Sequence, residues 1–393
     1  MYTPGLLQVS QTPHTNGMFR VTGTVQYDDG FLEDYWFELP EAYTPSSSGN
    51  PWLAILLPLA ATVGEDLHIP LAIDPALLRG AESVVRLWAY WRKEMHLVKI
   101  MPGSLEACPV AERTTASFFS AGVDSTFTVL RRPDVKNWIT VQGFDMPITK
   151  NEAFKQHCER LSAIAEHYQA CFIPVRTNIR ETRWKKAHWE LVGFGPALAA
   201  VALMFENHFH EVLLPASCDY SSLGPWGSHP LSDPLFSTVH TKIIHEGTAY
   251  SRTEKIEYLS RDKRALNELH VCFRGEDASG QDNKNCCRCE KCYRTMIALD
   301  LFGKLDDAAL FDRSKYQIDR ISKIYMGHDI DEIFFINLHT TALERGRNDI
   351  AGQISVAMRR SRKIRKIAKL AKLPLVWRPA QALKKHMLRD SLK

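Results

Sequence analysis

No stretch of the chain supplies the ~18 consecutive apolar residues that a membrane-spanning helix needs. The two longest apolar runs, at 52–63 and 191–205, fall short of it, and each contains a proline. The first residues lack the basic segment and apolar core of a secretory leader, so the expected location is cytoplasmic. Cysteine is used sparingly. Nine occur in 393 residues, and four of them crowd between Cys286 and Cys292, which excludes a disulfide framework spread through a secreted domain. Internal repeats, long low-complexity stretches, a GxSxG elbow and an HExxH pair are all missing, so hydrolase and metalloprotease readings find no support.

Charge of one sign is also scarce, with 49 Lys and Arg against 45 Asp and Glu for a net +4. That balance is uneven, because 358–393 holds thirteen basic residues against the single acid Asp390. The rest of the chain is mildly acidic, and the length suits a globular protein of two or three domains.

What is present begins with a segment of small residues. Ser117-Phe118-Phe119 leads into Ser120-Ala121-Gly122-Val123-Asp124-Ser125-Thr126, and Phe127-Thr128-Val129-Leu130 follows. This reads as strand, turn and helix start, the build of a phosphate cradle: a turn of Ser, Ala and Gly lets backbone N–H groups close on an anion, and the helix N-terminus adds positive potential. Ser125 is placed to bond phosphate and Asp124 to hold a magnesium ion. A capped βα turn in an ordinary doubly wound sheet uses similar residues for packing. At Ala121, either the methyl crowds a bound phosphate or the backbone stays at negative φ, which Ala tolerates.

From residue 115 strands and helices alternate, which predicts an α/β fold with a parallel, Rossmann-like sheet covered by helices. Strands are expected at 115–119, 138–142, 171–176, 211–215 and 242–245. Helices are expected at 124–131, 152–168, 188–207, 252–260 and 292–301. Ligands in such sheets bind beyond the strand carboxyl ends, where Ser120–Ser125, Gly143-Phe144-Asp145, Arg176-Thr177-Asn178, Ser217–Tyr220 and Gly247 fall. Residues 1–110 read as a separate α+β domain with a hairpin at 19–27 and 34–39 and helices near 53–61 and 74–79. Residues 111–303 form the α/β domain, and 304–393 a helical C-terminal region.

Cys286, Cys289 and Cys292 make two successive Cys-x2-Cys steps, with Cys272 upstream as a fourth thiolate. Four sulfurs on a tight turn suit structural zinc, and Cys287 is surplus and able to substitute for Cys286. Buried thiols, a redox pair and an iron–sulfur ligand set are the alternatives.

The order of residues in the loop resembles the SGGxDS loop of the N-type ATP pyrophosphatases, the PP-loop (HUP-type) superfamily. Over 115–301 the layout of loop, Ser251-Arg252-Thr253-Glu254-Lys255-Ile256, Leu269-His270-Val271-Cys272-Phe273 and cysteine knuckle is similar to 7-cyano-7-deazaguanine synthases of the queuosine pathway. The resemblance implies ATP, Mg2+ and structural Zn2+, with Ser120, Ala121, Gly122, Val123, Asp124, Ser125 and Gly143 around the nucleotide. It also implies that Asp124, Ser125, Arg252 and Lys255 serve AMP-forming adenylation of a small-molecule carboxylate or carbonyl, followed by attack of a nitrogen nucleophile. An RNA-thiolating PP-loop enzyme and a zinc-stabilised nucleotide-binding protein without turnover are the competing readings. For Arg252 and Lys255 the competing reading is a solvated helix face. The loop at 217–234, with Trp226, His229 and Asp233, either shapes a substrate pocket or is a rigid connection.

In the tail, Ile364, Ile367, Ala368 and Ala371 recur at helical spacing among Arg362, Lys363, Arg365, Lys366, Lys369 and Lys372, before Pro374 and Trp377. A basic amphipathic helix of this kind fits RNA, an anionic membrane surface or plain solvent, and a homo-oligomer is compatible with the chain.

Overall fold

A computed structural model describes residues 5–14, 17–107, 114–272, 284–327 and 329–370. The tail positions Ala371, Lys372, Pro374 and Trp377 lie outside the described residues. The chain divides into two compact units, one formed by Met1–Ser120, Thr128–Ala216 and Leu223–Thr248, the other by Ala121–Phe127, Ser217–Ser222 and Ala249–Lys393.

The first unit is α/β, built on a ten-stranded sheet flanked by helices. In chain order its strands are β1 (Gly5–His14), β2 (Met18–Gln26), β3 (Leu32–Pro40), β4 (Leu67–Ile73), β5 (Ile100–Leu105), β6 (Thr114–Phe118), β7 (Asn137–Gln142), β8 (Cys171–Thr177), β9 (Phe209–Pro215) and β10 (Lys242–Glu246). They lie in the order β10-β9-β6-β7-β8-β3-β2-β1-β4-β5. Six of the nine neighbouring pairs are parallel. The five strands expected from the alternating pattern are β6 to β10, within two residues at each end. Their order reverses between β6 and β9, as in Rossmann-like sheets.

Residues 5–107 do not stand apart from this sheet. The hairpin β2–β3 continues it, because β3 pairs antiparallel with β8 through Phe37↔Thr177 and Glu38↔Arg176. An open β8 edge would leave a row of unmet backbone donors and acceptors, and β3 covers it. Glu38, buried in that seam, accepts from Arg20 Nε at 3.0 Å and Arg176 NH1 at 2.9 Å. The periodicity of β1, β4 and β5 is too irregular to read from sequence. β1 carries a bulge between Leu6 and Gln8, and β4 one between Ile69 and Ala72.

Both long apolar runs are core helices. α1 (Asn50–Val63) is buried from Asn50 to Ala61 and packs on α5 (Phe194–Met204), which is apolar all round. A π-helical turn, Trp189–Gly193, opens the segment expected as one helix over 188–207. Among the described residues no helix is long and apolar enough to cross a membrane. The other helices of this unit are α2 (Pro75–Trp91) and α4 (Asn151–His167), while α3 (Val123–Arg131) begins in the second unit.

Helices dominate the second unit: α6 (Arg252–Leu259), α7 (Lys263–Asn267), α8 (Glu290–Leu301), α9 (Asp329–Glu344) and α10 (Asn348–Leu370). Part of the basic amphipathic helix lies in α10, where its apolar stripe is used internally. Ile364 is fully buried, Arg362 and Arg365 both pair with Glu332, and Ser361 accepts from Met326 N at 3.1 Å.

Candidate anion and metal site

β6 and β9 flank the point where strand order reverses, and the segments that follow them, Ala121–Phe127 and Ser217–Ser222, both belong to the second unit. Within that unit the loop meets α6. Ser251 caps α6 by accepting from Glu254 N at 3.2 Å, and Glu254 Oε2 accepts from Ser251 N at 2.7 Å. This reciprocal cap sets where the helix starts, so Arg252 and Lys255, three residues apart, share one face.

Both cations meet Asp124 in the first turn of α3. Arg252 NH1 donates to Oδ2 at 2.5 Å and Lys255 Nζ to Oδ1 at 3.4 Å. The Lys255 side chain is 1% exposed, Arg252 11% and Asp124 14%, which rules out the solvated-face reading. Glu254 is engaged in the cap and is not the partner of Arg252. Burial pushes the Arg252 pKa down while the Asp124 charge pushes it back up; guanidinium nonetheless stays protonated. Two cations in the first turn of a helix oppose its dipole, costing about 0.3–1 kcal/mol each. Asp124 and Glu290 both act to offset the Arg252 charge.

Ala121 has φ +55°, so its backbone is left-handed and, of the two alternatives at this position, the negative φ is overturned. The methyl group is buried at 2% exposure, and the Ala121 carbonyl accepts from His270 N at 2.9 Å. A left-handed Ala costs ~1–2 kcal/mol, and at this position Gly would incur no such strain. Gly122 O accepts from Thr126 N at 3.0 Å and from Ser125 Oγ at 3.3 Å, which closes the turn into α3. Val123 opens the helix with its side chain fully buried, leaving only its backbone for a ligand.

The structure therefore brings Ala121, Gly122, Val123, Asp124 and Ser125 together with Arg252 and Lys255. Ser120 and Gly143 belong to the first unit. Gly143 has a local reason to be Gly: φ is +99°, and a Cβ there would lie 1.8 Å from the Thr177 carbonyl oxygen.

Sequence reasoning passed over three participants, and reached Cys218 only as part of Ser217–Tyr220. The Cys218 thiol, half-buried, is pushed up to about 11 by burial and by the Asp124 charge. Arg294 and Glu290 form an i,i+4 ion pair of 3.2 Å on α8, and the ring of Phe334 on α9 lies 4.2 Å from the Arg294 guanidinium and 5.8 Å from that of Arg252. The Glu–Arg spacing was readable on α8, whereas nothing in the sequence around Phe334 points to the site. The buried Nε atoms of Arg252 and Arg294 meet no acceptor among the described residues.

The four cysteines converge as the spacing implies. The sulfurs of Cys272, Cys286, Cys289 and Cys292 all lie within 4.8 Å of one another, with Cys272–Cys289 and Cys286–Cys292 at 3.7 Å and Cys289–Cys292 at 3.5 Å. A tetrahedral zinc with bonds of about 2.3 Å needs sulfurs about 3.8 Å apart, so the donor set fits a structural zinc. Cys289 N–H donates to Cys286 Sγ at 3.4 Å, and Cys289 is the N-cap of α8. The expectation that Cys287 could replace Cys286 fails. With φ +56° its side chain turns to Asn285 O and Asp312 N, each at 3.2 Å.

Of the loop at 217–234 expected to shape a pocket, the part from Leu223 on belongs to the first unit and is internally braced. Asp233, fully buried, accepts from Ser228 Oγ at 2.5 Å and meets His245 Nδ1 at 2.7 Å. Ser228 lies on the same imidazole nitrogen as the carboxylate, 3.3 Å away, so the three cannot form a nucleophile relay. His229 packs on Trp91 at 4.9 Å.

Fold and site define an α/β protein with a ten-stranded, mostly parallel sheet and a four-cysteine cluster suited to a metal ion. Compared with protein-family models, curated proteins and solved structures, the chain matches none.

Proposed function

We propose that this protein binds ATP at the Asp124–Arg252–Lys255 cluster and performs AMP-forming adenylation of a small-molecule carboxylate or carbonyl, with zinc on the four cysteines. The observation that carries this reading is the placement of two buried cations at the N-terminus of α6 facing a loop that opens α3. An anion bound there would gain from both cations and from the helix N-terminus. The unmet Nε donor of Arg252 fits the same ligand.

Gly122, Val123 and Ser125 would cradle the phosphates, while Arg252 and Lys255 would neutralise charge on the departing pyrophosphate. Asp124 holds both cations in position, and the lone pairs its oxygens retain would take the magnesium ion that accompanies ATP. The substrate oxygen attacks the α-phosphorus, the α–β bridge breaks and pyrophosphate leaves. A nitrogen nucleophile then displaces AMP.

The test supplies the zinc-loaded full chain with ATP labelled at the α-phosphate and a mixture of small carboxylic acids with ammonia. Expected products are AMP and pyrophosphate, lost in Arg252→Gln. ADP as the labelled product, or no binding of ATP at millimolar concentration, overturns the proposal.

A further inference from the structure

The ring of Phe334 carries cations from two different helices of the site. Arg252 comes from α6, which faces Asp124, and Arg294 from α8, whose N-cap and third residue are the cluster cysteines Cys289 and Cys292. Two like charges on one ring repel, and burial Coulomb effects from Arg294 indeed work against the Arg252 charge. Glu290, paired with Arg294 at 3.2 Å and also acting on the Arg252 charge, supplies a compensating carboxylate. Moving α8 by a fraction of a turn would displace Arg294 and Glu290 together, and so change both what shares the ring with Arg252 and the charge around it. A cluster that depends on its metal sets where α8 begins.

Resting on the ATP reading above, we propose that Phe334 is a positioning residue that couples the cysteine cluster to the anion site, so that metal and nucleotide bind with positive cooperativity. Phe334 touches neither ligand. It holds Arg252 over its face by the cation–π attraction, which is strongest where water is excluded. Coupling of this kind is reciprocal: whatever the metal adds to nucleotide affinity, the nucleotide adds to metal retention.

The experiment uses the full chain loaded with one zinc, verified by metal analysis, with magnesium ATP as the probe. Calorimetry should show affinity weakened about tenfold in Phe334→Leu and kept within about threefold in Phe334→Tyr, which preserves the ring face. In a second measurement, saturating magnesium ATP should slow zinc loss to a chelator several-fold in the wild type and in Phe334→Tyr, and not in Phe334→Leu. Equal ATP affinity in the wild type and both variants overturns the coupling and leaves the ATP reading standing. An equal loss of affinity in Leu and Tyr variants overturns it too, since that assigns Phe334 a packing role alone. Failure of the wild type to bind magnesium ATP at all overturns the ATP reading, and the coupling with it.

Discussion

Replacing Asp124 by Asn leaves Arg252 and Lys255 facing a neutral amide. At an effective dielectric of about 20, a unit-charge pair 3.4 Å apart, the Lys255–Asp124 separation, is worth about 5 kcal/mol, part of which is offset by the cost of burying the charges. Lys255 has almost no route to water, so the variant removes the carboxylate that compensates a buried cation, and the expected loss of stability is ~3–5 kcal/mol. Adding Lys255→Met should restore a large part of it, because the buried charge is then gone. The assay must see the second unit. Eight of the nine Trp residues belong to the first unit and the ninth, Trp377, to the tail, so tryptophan fluorescence does not report on this site. Urea unfolding followed by far-UV circular dichroism, with hydrogen exchange at the His270 amide that bonds Ala121 O, does report on it. A loss below about 1 kcal/mol for Asp124→Asn, or a double variant no more stable than the single one, would refute the argument that burial governs this cluster. The consequence for function is practical: loss of activity in Asp124→Asn mixes chemistry with folding, and Arg252→Gln, which keeps Asp124 with Lys255, is the cleaner probe.

Three further outcomes follow from the same geometry. Ala121→Gly relieves ~1–2 kcal/mol of left-handed strain, and loses ~0.8 kcal/mol of buried methyl and ~0.5–1 kcal/mol to glycine's freer unfolded chain; urea midpoints should therefore move by less than about 1 kcal/mol, against a clear destabilisation were the residue at negative φ. Cys286→Ser should purify with substoichiometric zinc and Cys287→Ser with a full equivalent, as read by metal analysis; the reverse result would move the ligand set. Burial, aided by the nearby His245, lowers the His229 pKa below its ordinary 6.5, so the unfolded chain binds the proton first. Stability from this group is complete above pH 6.5 and is lost as pH falls through the folded value, and His229→Gln should flatten the dependence of the urea midpoint between pH 7.5 and 5.

The α/β half of the fold was legible because a parallel sheet buried on both faces writes itself as short apolar runs separated by helices. β6 to β10, the helix expected at 252–260 and the Cys-x2-Cys steps are all local patterns. The boundary near residue 110 was read from the change to alternating strands and helices, a local pattern that carries no record of strand pairing. The β3–β8 seam rests on Glu38 and Arg176, 138 residues apart, and no local signal marks such a pair. The same limit applies to Cys286 and Cys287, since adjacent residues of one type have identical spacing statistics and only the left-handed turn at Cys287 sends its thiol elsewhere.

By itself the sequence determined the chemistry on offer: a small-residue turn at a helix start, a capped helix opening with Arg252 and carrying Lys255, and four thiolates spaced for a metal. These follow from covalent order and local propensity, which act over a few residues. Only the tertiary structure decided that Arg252 and Lys255 are buried on Asp124 instead of solvated, that Ala121 is left-handed, and that Phe334 joins the Arg252 and Arg294 guanidiniums. Those outcomes depend on desolvation and packing between segments more than a hundred residues apart in the case of Asp124, where charge is either compensated or excluded from water, and a local pattern does not encode that balance.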